Sequence, residues 1–232
     1  MARYTINDIE YPSVTEIIGM LDKSSALMGW VAKSMGEYII KYQEDYDDLK
    51  DLVQKAKYSY KDISAEAMDI GSEIHGLIEI YIKHKIDPTK GKTLHESVSN
   101  GYLAFLEWEK ENIKEWFYSE RPIHDLDIGY AGTLDAIAKM KDNKVIVIDF
   151  KSSKGFYDGY DLQISAYRAA AEKIDKIKYD GMGVLRLDKE TGLPQYKDYS
   201  NIYENKLEAF IKLTDFYYAY KKRRLKNNPR VI

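Results

Sequence analysis

Apolar residues recur at helical intervals through the first half of the chain. Tyr11-Pro12-Ser13 leads into Val14, Ile17, Ile18 and Leu21. Ser13 with Glu16 three positions on makes a capping-box pair, which marks a helix start. Weaker patterns predict helices over 26–42 and 47–60. A stronger one covers 64–85, where Ala67, Ile70, Ile74, Leu77, Ile78, Tyr81 and Ile82 share a face. Asp87-Pro88 and Gly91 end it. Val98, Tyr102, Phe105 and Trp108 predict a further helix over 94–116.

The pattern changes near Glu120. Residues 128–140 read as a strand or hairpin, and Lys141-Asp142-Asn143-Lys144 as a polar turn. The apolar, β-branched run over 145–150 predicts a strand buried on both faces. Gly155 and Gly159 mark a loop before a helix over 162–174. A strand over 183–187, a turn over 189–192 and a last helix over 204–225 complete the chain. No internal repeat or linker stands out. The order predicts one α/β domain over 1–232, a mixed β-sheet flanked by helices. In it, 1–118 is a mainly helical wall, and 119–232 carries the α/β core and the C-terminal helix.

At 44% hydrophobic and 31% charged residues, the chain has enough apolar material for a packed core and is not a disordered sequence. Its longest aliphatic run, Val145-Ile146-Val147-Ile148, is far too short to cross a bilayer. The N-terminus lacks a signal or transit pattern, so a cytoplasmic protein with no membrane partner is expected. There is no cysteine. Disulfides, thiolate zinc sites, cysteine-ligated iron–sulfur clusters and cysteine nucleophiles are therefore excluded. A metal would be held by carboxylates, backbone carbonyls or one of the 4 histidines. Net charge is −3, yet Lys221, Lys222, Arg223, Arg224, Lys226 and Arg230 form a terminal run without an acid. Such a run is either a polyanion contact or a solvated helix end.

The chemistry concentrates around Asp135, Asp149 and Lys151. Asp149 and Lys151 lie two apart at the end of a predicted strand, so both side chains leave the same face. Asp135 can approach Asp149 if the strands flanking the polar turn are neighbours. Two converging carboxylates repel each other in a low dielectric unless a divalent cation lies between them, and hard oxygens suit Mg²⁺ or Mn²⁺. With a lysine beside it, such an ion suits phosphodiester hydrolysis. The plainer reading is a strand-end salt bridge, and an isolated Asp-x-Lys triplet favours it.

The surrounding residues form an ordered set: Gly132-Thr133-Leu134-Asp135, then Asp149-Phe150-Lys151-Ser152, then Gln163-Ile164-Ser165-Ala166-Tyr167. Upstream stands Gly71-Ser72-Glu73-Ile74-His75. In these motifs and their order the chain resembles the PD-(D/E)xK nuclease superfamily, specifically its RecB-like exonuclease branch. The opening around Pro12-Ser13-Val14-Thr15-Glu16-Ile17-Ile18, with Trp30 downstream, resembles mitochondrial genome maintenance exonucleases and related phage proteins. Lacking cysteines, the chain resembles the members without an iron–sulfur cluster. The resemblance extends over about 12–174.

The resemblance implies a restriction-endonuclease-like core and a metal-dependent exonuclease. Its partner would be DNA, single-stranded or with free ends, in replication, repair or recombination, alongside other proteins of those processes. It implies a prokaryotic or phage-encoded protein. Asp135 and Asp149 would be metal carboxylates, with the backbone carbonyl of Phe150 and His75 as further ligands. Glu120 would stand near the metal as a second-rank ligand, and Lys151 would be the catalytic lysine. Gln163 and Tyr167, four apart on one helix face, would touch the site or the DNA. Expected DNA contacts are Ser152, Lys154, Tyr157, Arg168, Lys221, Arg223 and Arg224. Two rival readings remain: a structure-specific endonuclease or resolvase on the same fold, and a catalytically silent DNA-binding protein.

Overall fold

A computed structural model describes residues 3–220 and 225–230 of the chain. It begins with β1 (Arg3–Ile6), β2 (Ile9–Pro12), α1 (Val14–Ile18), α2 (Ser24–Tyr42), α3 (Leu49–Ala56), α4 (Ser59–His84) and α5 (Glu96–Asn112). There follow β3 (Ile113–Asp125), β4 (Tyr130–Met140), β5 (Val145–Lys151), α6 (Tyr160–Asp175), β6 (Gly181–Leu187), β7 (Pro194–Asp198) and α7 (Tyr203–Tyr220). By contacts the chain divides into two compact units, Leu21–Glu73 and Met1–Met20 with Ile74–Ile232.

The smaller unit is helical. α2 and α3 pack on each other, and the Ser59 hydroxyl donates to the Ala56 carbonyl at 2.9 Å. Trp30 sets its ring edge-on to Tyr60 at 6.1 Å. Ser34 is the one buried residue of α2, which explains why the periodicity over 26–42 is weak. With almost no buried face, nothing selects an apolar stripe.

The larger unit holds a mixed five-stranded sheet in the order β3-β4-β5-β6-β7. β3, β4 and β5 are antiparallel neighbours, β5 and β6 are parallel, and β7 returns antiparallel on β6. As the uninterrupted apolar run predicts, the interior of β5 is buried, and so is all of β6. Phe150 meets Phe105 of α5 at 5.7 Å, and Phe105 stacks on Trp116 at 5.7 Å. α6 packs against the sheet and carries α7 outside it. There Tyr130 meets Phe210 edge-on at 5.0 Å and donates to the Ala166 carbonyl at 2.9 Å.

Ser13 caps α1 as expected, its hydroxyl accepting from the Glu16 amide at 2.9 Å. Glu16 does not complete the reciprocal half of the box; its carboxylate accepts from the Tyr217 hydroxyl at 2.7 Å. The predicted helix over 94–116 is wrong at its end, because the backbone turns extended at Ile113. Register shifts between Ile113 and Glu115 and between Trp116 and Tyr118 insert extra residues into β3. Burial there falls on Ile113, Trp116 and Ser119, a spacing of three that imitates a helix. The hairpin of β1 and β2 is not foreseen either. Its turn is Asn7-Asp8, both left-handed with φ 50° and 62°, the form that two-residue hairpin loops favour.

Candidate metal and nuclease site

The site forms where β4 and β5 part. Their ladder runs from the Lys139–Val145 pair to Ala136–Ile148 and stops. Beyond it the Phe150 amide donates to Asp135 Oδ2 at 2.6 Å, so a carboxylate takes the place of a ladder carbonyl. Alternation puts Asp135 and Asp149 on the same face as Ile137 and Val147, which are paired across the ladder.

Glu120 lies in β3 between the Ser119–Ala136 and Arg121–Leu134 pairs. Its φ of 48° is left-handed, which costs a non-glycine residue about 1–2 kcal/mol. Its Oε1 lies 3.5 Å from His75 Nδ1, which is also 3.9 Å from Asp135 Oδ2. His75 comes from α4, between the buried Ile74 and Leu77, and its ring is edge-on to Phe150 at 6.0 Å. One ligand atom from each of His75, Glu120 and Asp135 lies within 4.8 Å of the others. The second-rank Glu120 is thus in the cluster.

Asp149 is deeper, with 1% exposure. Its Oδ1 has no hydrogen-bond partner, and Lys151 Nζ makes an ion-pair contact of 2.6 Å with Oδ2. Burial, opposed by Lys151 and reinforced by the Asp135 charge, pushes the Asp149 carboxyl up to about 6. Burial also raises Asp135, although His75 and Lys151 pull it down. For His75 burial acts downward, but the Asp135 charge and the Glu120 contact outweigh it and leave the imidazole raised. Lys151 is likewise depressed by burial and raised on balance by Asp149 and Asp135. Buried acids whose pKa values rise are acids without enough positive charge around them. A divalent cation would supply that charge. The donors, carboxylate oxygens with one imidazole nitrogen, fit Mn²⁺ or Mg²⁺.

α6 lines the same place. Gln163 donates to the Tyr167 hydroxyl at 3.1 Å, and buried Tyr167 feels the charges of Asp149 and Asp135. Gly132 makes room for it: a Cβ there would lie 2.8 Å from Tyr167 Cε1. The glycine of the Gly-x-x-Asp element and the tyrosine of the Gln-x-x-x-Tyr element are therefore packed on each other.

The expected DNA contacts fare differently. Ser152 is half-buried beside the lysine, Lys154 is exposed with Nζ 3.4 Å from Glu190 Oε1, and Tyr157 is 55% exposed. Arg168 is a correction. It is buried, its Nε donates to Glu172 Oε1 at 2.8 Å, its Nη2 donates to the Tyr179 carbonyl, and it stacks on Tyr203 at 4.1 Å. Its guanidinium is taken up by partners within the protein and is not free at the surface. Lys221, Arg223 and Arg224 lie outside the described residues. Arg230 pairs with Asp215 at 2.5 Å and stacks on Tyr218 at 4.4 Å, so that end of the basic run folds back on the body.

One more aromatic residue stands at the site, from the stretch 154–160 in which aromatics alternate with glycines. Tyr160, the first residue of α6, has its ring 5.1 Å from Lys151 Nζ. The spacing of Tyr160, Gln163 and Tyr167 along one helical stripe was the available signal. No helix among the described residues is long and apolar enough to cross a membrane. In comparisons with known proteins, no family model matches the chain and no curated protein is significantly similar to it.

Proposed function

We propose that this protein is a divalent-metal-dependent deoxyribonuclease with a restriction-endonuclease-like core, acting on single-stranded DNA from its ends. One observation carries the reading: His75, Glu120 and Asp135 gather around one point, beside a buried, under-neutralised Asp149 that is paired with Lys151. A purely structural salt bridge needs only Asp149 and Lys151. It gives no reason for two more acids and a histidine to converge from α4, β3 and β4 on the same spot.

Asp135 and Asp149 would hold the ion with His75, Glu120 and the Phe150 carbonyl. When bound, Mg²⁺ or Mn²⁺ supplies Lewis acidity and a lowered pKa for water. The residues of the chain supply the rest. Lys151, 19% exposed at its side chain, presents an ammonium that offsets charge on the phosphoryl oxygens. The buried hydroxyl of Tyr167, held by Gln163, forms the α6 side of the site. Tyr157, exposed on the following loop, offers a ring on which a base can stack. The preference for ends and for single strands follows from the family resemblance.

The test is nucleotide release from end-labelled linear and circular DNAs, single- and double-stranded, with Mg²⁺ or Mn²⁺. Wild type should degrade linear single strands and leave circles whole. Asp149→Ala and Lys151→Ala should each lower the rate about a thousandfold. Equal rates in all three proteins would assign the activity to a contaminant, and cut circles would favour an endonuclease.

A further inference from the structure

The catalytic lysine of the proposed site sits at a strand end, where its four-carbon stem has many rotamers. Two groups limit it. Asp149 Oδ2 is 2.6 Å from Nζ, and the ring of Tyr160 faces Nζ at 5.1 Å. That ring is itself fixed. Gly159, with φ 95°, turns the chain into α6 directly before it. The Tyr160 hydroxyl donates to Ser153 Oγ at 3.1 Å, and Ser153 Oγ donates to the Gly155 carbonyl at 2.8 Å. Arg186 adds a 3.1 Å bond to the Ser153 carbonyl. Tyr157 meets the ring edge-on at 6.0 Å.

We infer that Tyr160 is a positioning residue: its ring face holds the Lys151 ammonium in reach of the scissile phosphate. The inference rests on the nuclease reading above and adds a residue to it. A cation held by Asp149 would take up the carboxylate charge that now draws Lys151, so that contact would weaken in a loaded site. An aromatic face carries no net charge and binds no hard cation of this kind, so its attraction for the ammonium survives. Without the ring, Lys151 keeps its charge and loses its direction.

The experiment compares steady-state cleavage of a single-stranded oligonucleotide with Mn²⁺ by wild type, Tyr160→Phe and Tyr160→Leu. Phenylalanine keeps the ring and loses the Ser153 bond, so kcat should stay within about twofold. Leucine should lower kcat about tenfold with KM within about twofold of wild type, as expected for a group that aligns the lysine and does not bind substrate. Should Tyr160→Leu fail to fold, Tyr160→Met carries the same test. Full activity without the ring would overturn the inference, as would a loss in Tyr160→Phe equal to that in Tyr160→Leu, which would assign the role to the Ser153 bond. A wild type without metal-dependent cleavage would sink the nuclease reading itself, a result distinct from either.

Discussion

α6 lies between two buried charge clusters, its own Arg168–Glu172 pair and the acids of β4 and β5 that its Gln163–Tyr167 side lines, and the two are built on opposite principles. Toward its C-terminal end, Arg168 and Glu172 pair at 2.8 Å. The Glu172 carboxylate also accepts from Lys178 at 2.8 Å, the Tyr179 amide at 3.0 Å and the Tyr203 hydroxyl at 3.3 Å. Although burial acts upward on Glu172, these donors leave its pKa lowered. Around Asp149, which faces the Gln163 and Tyr167 side, burial wins and the carboxyl is raised. A closed cluster neutralises its own charge and belongs to the architecture. An open one keeps a deficit that an external cation would fill, the arrangement that the proposed metal site requires.

The comparison is broken most severely by neutralising one carboxylate in each cluster. Glu172→Gln strips a buried charge from Arg168, and removing one partner of such a pair costs about 3 kcal/mol or more. Its melting temperature should fall by about 6–12 °C by calorimetry, with the cleavage rate per folded molecule unchanged. Asp149→Asn should do the reverse: metal-free at pH 7 it keeps or gains stability, and with Mn²⁺ added it loses cleavage. A large loss of stability in Asp149→Asn would mean that the Lys151 pair is structural.

Loading the open cluster gives the next effect. Mn²⁺ at about a hundredfold over its dissociation constant should stabilise wild type by about 3 kcal/mol. Asp135→Asn and Asp149→Asn should lose that gain, and Glu172→Gln should keep it. Equal metal-induced shifts in all four proteins would place the ion elsewhere.

The smallest effect is the pH dependence of the metal-free protein. The folded Asp149 carboxyl titrates at about 6 against an ordinary 3.8, so between those values the folded state binds more protons than the unfolded. Its contribution to stability is therefore highest below about 4, falls as pH rises towards 6, and is flat above. Denaturant titrations of wild type minus Asp149→Asn should trace that fall. A difference curve rising with pH would reverse the sign assigned to this cluster.

Much of this contrast is legible in the residue order, though unevenly. Asp149 and Lys151 are visible because a β-branched strand ending in Asp-x-Lys allows only one face for both side chains, and Asp135 because only the polar turn 141–144 separates its strand from theirs. The strands β4, β5 and β6 are readable for the same reason. β3 is not, since its bulges give it helical spacing, and this hid the reach of Glu120: a residue set before the β-region lies inside a strand, turned by a left-handed backbone. Arg168 misled because a cation near catalytic motifs looks like a phosphate contact. Only the approach of Glu172, four residues on, and of the Tyr179 carbonyl shows it to be satisfied internally. Tyr160 carries no charge and meets Lys151 through space, so in the residue order only its helical spacing from Gln163 and Tyr167 points to it.

Crystals of the full chain grown with Mn²⁺ and measured for anomalous scattering decide whether the acids of β4 and β5 hold an ion. The account predicts a peak bonded to carboxylate oxygens of both Asp135 and Asp149, with His75 Nδ1 or Glu120 completing the shell. A structure at a Mn²⁺ concentration that supports cleavage, with Asp149 still paired to Lys151 and no peak among these side chains, would contradict it.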